Sequence, residues 1–210
     1  MPLQNRVNPA GELFRSHARG TMMGNRGGAI HNSDREITRG FKSRRWITCV
    51  LEFRGRHRIV MSERRYTELF FLDEAVAFAA GHRPCAECRR ERFNAFKEAW
   101  RRSSGDATLP FADDMDRELH PARIGNRGEK VTYDVELGSL PDGCFVRLEG
   151  RAYLVHDGSL LLWTPEGYTQ RDVIRKHLVA TILTPKPIVE CFRQGYKPAI
   201  HESARAFVID

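Results

Sequence analysis

The run Gly81-His82-Arg83-Pro84-Cys85-Ala86-Glu87-Cys88 constrains the fold more than any other segment of the chain. Asp73 is suited to cap a helix over residues 74–80, and Gly81 is typical of a helix stop. Pro84 then stands where a helix cannot continue, because its ring fixes φ and removes a donor. The run therefore predicts a short helix, a sharp exit, and two cysteines presented by one turn.

Cys85 and Cys88 have a Cys-x-x-Cys spacing, which lets both sulfur atoms face one point. Zinc in a structural site takes four such ligands, so the pair is half of a site. The chain has five cysteines. An odd count with only one close pair is a poor disulfide framework, so we expect a reducing, cytoplasmic location. No stretch has the length and apolar character of a membrane span, and residues 1–19 lack the apolar region of a secretory signal.

Positive charge is concentrated in the first half of the chain. Residues 1–105 carry 21 Lys and Arg against 11 Asp and Glu, a net +10, whereas residues 106–210 carry 13 against 16, a net −3. Nearly all cations of the first half are arginine, which makes forked contacts with phosphate and guanine. This asymmetry favours a surface that meets a polyanion.

The periodicity of apolar residues predicts an α+β fold in three parts. Residues 1–45 form an irregular Gly/Arg-rich segment, residues 46–105 a small antiparallel sheet with helices around the cysteine pair, and residues 106–210 a β-rich meander or partial barrel with a closing helix. The predicted strands span 47–53, 57–61, 67–72, 144–148, 151–155, 159–163 and 179–183, and the helices 74–80, 87–102, 113–120 and 187–194.

The run Leu69-Phe70-Phe71-Leu72-Asp73-Glu74-Ala75, continued by Ala79-Ala80-Gly81-His82-Arg83-Pro84-Cys85-Ala86-Glu87-Cys88, resembles the second half of the Ada-type metal-binding domain. The resemblance covers about residues 69–88 and implies zinc held by cysteines in a protein of the DNA alkylation response. From Met1 to its end the chain also resembles uncharacterised alphaproteobacterial proteins, which implies no function.

The chain departs from the Ada-type pattern in its first cysteine pair. That pair belongs 27 to 31 residues before Cys85, where this chain has Arg54 and Arg58. One of the missing cysteines is the family's methyl acceptor, so we do not expect phosphotriester repair. Cys49 shares the apolar face of a predicted strand and is interpreted as core. His57 is the nearest substitute ligand, which gives a predicted zinc set of Cys85, Cys88 and His57.

Enzyme functions stay open as alternatives. Pro84-Cys85-Ala86-Glu87-Cys88 matches half of a zinc deaminase motif, but no His-x-Glu stands upstream. Pro2, exposed by removal of Met1, could form a Schiff base as in a glycosylase or lyase. His120 could act as a general base. A protein-interaction domain is a third class.

These observations favour a nucleic-acid-binding protein in DNA repair, modification or defence, with DNA preferred over RNA and no membrane partner. Zinc is the expected cofactor. The predicted contacts are the following arginines: Arg26, Arg44, Arg45, Arg83, Arg89, Arg90 and Arg92.

Overall fold

The first half of the chain forms one six-stranded sheet from segments that are far apart in the sequence. The structure is a computed structural model that describes residues 1–56 and 59–207. The strands run in the order β2-β1-β5-β3-β4-β6. The β1–β5 and β4–β6 pairs are parallel and the others antiparallel, so the sheet is mixed. Its strands are β1 (Arg6–Val7), β2 (Leu13–Phe14), β3 (Met22–Arg26), β4 (Trp46–Cys49), β5 (Leu69–Phe71) and β6 (Arg83–Pro84).

Two predictions for this half are wrong. The segment 1–45 is not irregular throughout, because it supplies β1, β2 and β3. β1 and β2 have only two residues each and β3 contains Gly24, so these strands carry no apolar alternation. The predicted strand over 57–61 falls partly outside the described residues, and residues 59–61 form no strand.

The helix before the cysteines is confirmed, and local capping explains it. Helix α1 spans Glu74–Ala79, and the Asp73 side chain accepts a hydrogen bond of 2.9 Å from the Val76 N–H. Gly81 follows with φ +86°, a left-handed conformation that glycine adopts at no steric cost. The chain therefore leaves α1 sharply, as the sequence predicts, and then forms the short strand β6, which the sequence analysis did not predict.

Two longer helices follow. Helix α2 spans Arg90–Ser104 and buries Phe93, Phe96 and Trp100, the predicted apolar stripe. Gly105 ends it with φ +75°. Helix α3 spans Ala112–Arg123, three residues beyond its predicted end. Pro121 lies inside this helix.

The second half forms the predicted antiparallel meander, which stays open within the described residues. The strand order is β11-β10-β9-β8-β12-β7, with helix α4 (Lys186–Arg193) after the last strand. Gly150 and Gly158, with φ +78° and +63°, make the tight turns that join β8 to β9 and β9 to β10. The strands are β7 (Tyr133–Glu136), β8 (Phe145–Leu148), β9 (Arg151–His156), β10 (Ser159–Thr164), β11 (Gly167–Val173) and β12 (Val179–Ile182).

Two apolar clusters join the halves of the chain, and the α+β class is confirmed. One packs Phe78 and Phe96 against residues such as Ile182 and Phe192, and the other packs Phe71 against Leu154. The α1 N-terminus is also tied to the end of the chain. Asp73 accepts from the Tyr168 hydroxyl at 2.7 Å, and Glu74 from the Tyr196 hydroxyl at 2.7 Å. Packing of the second half thus holds the helix that leads to the cysteines.

Candidate metal centre

Three cysteines from two chain segments converge on one point. The Sγ atoms of Cys49, Cys85 and Cys88 all lie within 4.8 Å of one another. The parallel pairing of β4 with β6 sets Thr48 against Pro84, and the Cys85 N–H donates to the Thr48 carbonyl at 2.9 Å. Cys49 is the last residue of β4, and Cys85 immediately follows β6. The strand register therefore brings the lone cysteine to the Cys-x-x-Cys turn.

The interpretation of Cys49 as a core residue is wrong. On β4 the buried side chains are Trp46 and Thr48, whereas Ile47 and Cys49 are only partly buried. The alternation of this strand was predicted correctly, but the opposite face is the core face. Trp46, which immediately precedes the predicted strand, is the residue that could have signalled this assignment.

The three thiols share hydrogen bonds. The pKa of Cys85 is lowered by hydrogen bonds from the Cys49 and Cys88 thiols, and the Glu87 backbone N–H adds a contact to its Sγ at 3.4 Å. The pKa of Cys49 is raised, chiefly by its hydrogen bond with Cys85. A thiolate is the form of cysteine that binds metal, and the lowered pKa of Cys85 favours that form.

The cluster fits a tetrahedral metal bound by sulfur. Zinc binds thiolate sulfur at about 2.3 Å, which places tetrahedral sulfur ligands about 3.8 Å apart. The three Sγ atoms lie within 4.8 Å of one another, a bound that includes this spacing. The other two cysteines, Cys144 and Cys191, are fully buried in an apolar cluster, and burial raises the pKa of Cys191 to about 12. They are typical of core thiols. The predicted ligand His57 lies outside the described residues.

An open cleft of about 700 Å³ adjoins the cluster. All three cysteines line it; Cys49 and Cys88 are partly exposed and Cys85 is buried. We call it the cysteine cleft, and its other walls include Arg19, Arg56, Phe53, Tyr66 and Phe70. The guanidinium carbons of Arg54 and Arg56 lie 5.0 and 5.4 Å from the centroid of the Phe53 ring. Sequence reasoning did not single out these arginines, because they stand among many others.

Three of the arginines predicted to contact nucleic acid are buried. Arg83 binds Asp116 through both carboxylate oxygens, at 2.9 and 2.7 Å. Arg89 pairs with the buried Glu74 at 2.8 Å. Arg26 donates to the Gly11 carbonyl at 2.7 Å. In this structure the three guanidinium groups hold the fold together and do not lie on a contacting face.

The other four predicted arginines lie at least partly at the surface. Arg90 is exposed at the start of α2, two residues after Cys88. Arg92 is half-buried and pairs with Glu74 at 2.6 Å. Arg44 and Arg45 lie apart from the cysteine cleft, and Arg45 pairs with Asp113 at 3.1 Å. Their part in binding stays a prediction.

A buried cationic cluster, missed by sequence reasoning, lies on the core side of β4. Trp46 is sandwiched between Arg26 and Arg123, whose guanidinium carbons lie 4.2 and 4.1 Å from the ring centroid. His82 packs on the same ring at 5.1 Å. Lys130 donates to the Ala79 carbonyl, and burial lowers its pKa to about 7. This cluster fixes Trp46, and with it the strand that carries Cys49.

Comparisons with known proteins add no family. No protein-family model matches the chain, and searches of curated proteins and of solved structures find no match either. In the described part of the chain, no helix is both long and apolar enough to cross a membrane. The cysteine cluster and the cleft beside it are therefore the features that indicate a function.

Proposed function

We propose that the protein binds zinc through Cys49, Cys85 and Cys88 and holds nucleic acid in the cysteine cleft. The observation that carries the proposal is the cleft itself, in which metal ligands, guanidinium groups and aromatic rings share one surface. Zinc is the metal that thiolate ligands at this spacing favour in proteins.

The residues that line the cysteine cleft suit single-stranded nucleic acid with unpaired bases. Arg19 and Arg56 are exposed and offer forked donors for phosphate oxygens. Phe53 and Phe70 offer ring faces on which bases stack, and arginine beside such rings adds cation–π attraction. The net +10 of residues 1–105 supplies the long-range attraction for a polyanion. The Ada-type resemblance favours DNA over RNA.

The experiment is a titration of a fluorescently labelled single-stranded DNA oligonucleotide, followed by anisotropy at several salt concentrations. We expect affinity to fall as salt rises, and the double variant Arg19→Glu with Arg56→Glu to bind at least about tenfold more weakly. Arg147→Glu with Arg151→Glu is the matched control, because it changes the net charge equally on exposed residues of β8 and β9. We expect the control to bind far more tightly than the cleft variant.

Two results would contradict the proposal. Equal losses in the two double variants would mean that net charge alone drives binding. No binding to the oligonucleotide at moderate salt would favour a protein-interaction domain. Arg89→Glu is unsuitable for this test, because it would place a second carboxylate against the buried Glu74.

A further inference from the structure

We infer that the metal keeps one coordination position open to the cysteine cleft, and that a ring nitrogen of a nucleobase binds there when nucleic acid is present. The inference rests on the proposed function, because it needs both a metal in the cluster and nucleic acid in the cleft. It makes the centre a ligand-binding metal site, whereas four protein ligands would make it a closed structural one.

The cluster offers three ligands, one fewer than a closed tetrahedral zinc site has. Within residues 1–56 and 59–207, the cluster consists of Cys49, Cys85 and Cys88 alone. Two carboxylates that line the cleft lie outside the cluster. Glu87 pairs with Arg56 at 3.1 Å, and one oxygen of Glu68 accepts from the Met61 N–H at 2.7 Å, while its other oxygen is buried without a hydrogen-bond partner among the described residues. Three ligands leave a tetrahedral metal with one free position, as in zinc sites that bind water or substrate.

The free coordination position of the metal would point toward the cysteine cleft. All three cysteines line the cleft, and Cys49 projects from the face of β4 opposite the buried Trp46 and Thr48. The core side is filled, because Trp46 is stacked between Arg26 and Arg123. A metal on these sulfur atoms therefore has its free side toward the cleft, where a ligand can enter.

The net charge of the metal centre limits which fourth ligand it accepts. A divalent metal with three thiolates carries a net charge of −1, and a phosphate oxygen as fourth ligand would add more negative charge in a partly buried site. A neutral donor avoids that repulsion, and zinc accepts nitrogen readily, at about 2.0–2.1 Å. Arg19, and Arg56 on leaving its exposed pair with Glu87, then meet the phosphates. The position therefore favours water in the free protein and a neutral nitrogen in the complex.

The distance between Cys49 and the aromatic residue Phe70 of the cleft also bears on the ligand. Met23 on β3 pairs with Cys49 on one side and with Phe70 on the other. Two strand spacings separate Cys49 from Phe70, about 10 Å between backbones. Met23 lies between the two residues on the same face and lines the cleft, so a base over the Met23 side chain would have one edge toward the metal and the other beside the Phe70 ring. Adenine, guanine and cytosine present an unprotonated ring nitrogen at neutral pH, whereas the N3 of thymine carries a proton.

The test uses the full chain with cobalt(II) in place of zinc, because the visible absorption of cobalt(II) reports its ligands. We titrate separately with imidazole, inorganic phosphate, adenosine and thymidine. The expected result is a saturable change of the cobalt bands with imidazole and with adenosine, and none with phosphate or thymidine. A bound single-stranded oligonucleotide should weaken the imidazole response at least about tenfold.

Each other outcome overturns the inference. A wild-type spectrum that does not respond to imidazole means a closed site. If His57→Ala then responds, His57 is the fourth ligand and zinc binding itself stands. Equal responses to adenosine and thymidine contradict a ring-nitrogen ligand. If the protein takes up no metal, both this inference and the proposed zinc binding are wrong. The oligonucleotide titration tests nucleic-acid binding separately.

Discussion

Asp116 joins Arg83 in a bidentate ion pair just before the Cys-x-x-Cys turn. The exposed fractions of the two side chains are 4% and 2%, so neither charge is solvated. The guanidinium also lies 5.4 Å from the Phe93 ring and so links helix α3 to helix α2. Removing one partner of such a pair leaves an uncompensated buried charge. At this position an arginine predicted to bind nucleic acid instead secures the entry to the metal ligands.

We therefore expect Asp116→Asn to lower the free energy of unfolding by about 3–5 kcal/mol. Asp113→Asn is the matched control on the same helix, because its pair with Arg45 is solvent-exposed, and it should change stability by less than about 1 kcal/mol. Urea unfolding of both variants measures the difference. Similar losses for the two variants would contradict the structural role of Asp116.

At the scale of single elements, β3 is the strand that supports the cysteine-bearing strand β4. Gly24 pairs with Thr48 on one side and with Leu69 on the other. A Cβ at Gly24 would lie 2.3 Å from the Ile47 carbonyl oxygen and 2.9 Å from the Phe71 ring. The close approach of the backbones therefore requires glycine here, although the residue is in a strand.

We expect Gly24→Ala to destabilise the fold by about 1–3 kcal/mol, because backbone and ring must move apart to admit one methyl group. Gly40→Ala is the control, since no atom lies within 4 Å of its added Cβ and its φ is not positive. Thermal or urea unfolding compares the two. A neutral effect of Gly24→Ala would show that β3 and β4 are less closely held than the register implies.

Local signals account for the elements that sequence reasoning predicted well. Asp73 and Gly81 bound α1 by capping chemistry that lies within a few residues, and Gly150 and Gly158 mark hairpin turns that fix the meander. The site depends on longer-range pairing. Cys49 reaches the cluster only because β4 pairs with β6, 36 positions later in the chain. Local alternation gives a strand two faces but does not say which face the rest of the fold covers.

At the scale of the whole molecule, the two halves of the chain meet around a group of basic side chains, of which Arg26, His82 and Arg123 are buried. Arg26 and His82 come from the basic half, and Arg123 and Lys130 from the acidic half. Their donors go to backbone carbonyls, as in the bonds from Arg26 to Gly11 and from Arg123 to Gly81. Some of the positive charge that the sequence count assigns to a binding surface therefore lies on buried side chains, such as Arg26 and Arg123. The overall count of arginines therefore overstated the exposed basic surface.

Lys130 gives this arrangement a pH signature. Burial lowers its pKa from the ordinary 10.5 to about 7, so the unfolded chain binds a proton between pH 10.5 and pH 7 that the folded chain does not. Stability should fall as pH falls through that window and level off below it. We expect the free energy of unfolding to be about 2 kcal/mol lower at pH 7 than at pH 9 on this account.

Lys130→Met keeps the length of the side chain and removes the charge, so it should flatten this dependence. Urea unfolding at pH 7 and pH 9 measures the slope. Lys186→Met, at an exposed position of α4, is the control and should keep the wild-type slope. An unchanged slope in Lys130→Met would show that this lysine stays charged in the folded protein.

We propose that Cys49 joins the Cys-x-x-Cys pair to hold one zinc ion. Elemental analysis of the purified protein, beside Cys49→Ala and the buried-core control Cys191→Ala, measures this. We expect one zinc per chain in the wild type and in Cys191→Ala, and less than about a tenth of that in Cys49→Ala. A wild type without zinc, or a Cys49→Ala variant that keeps a full equivalent, would contradict the account.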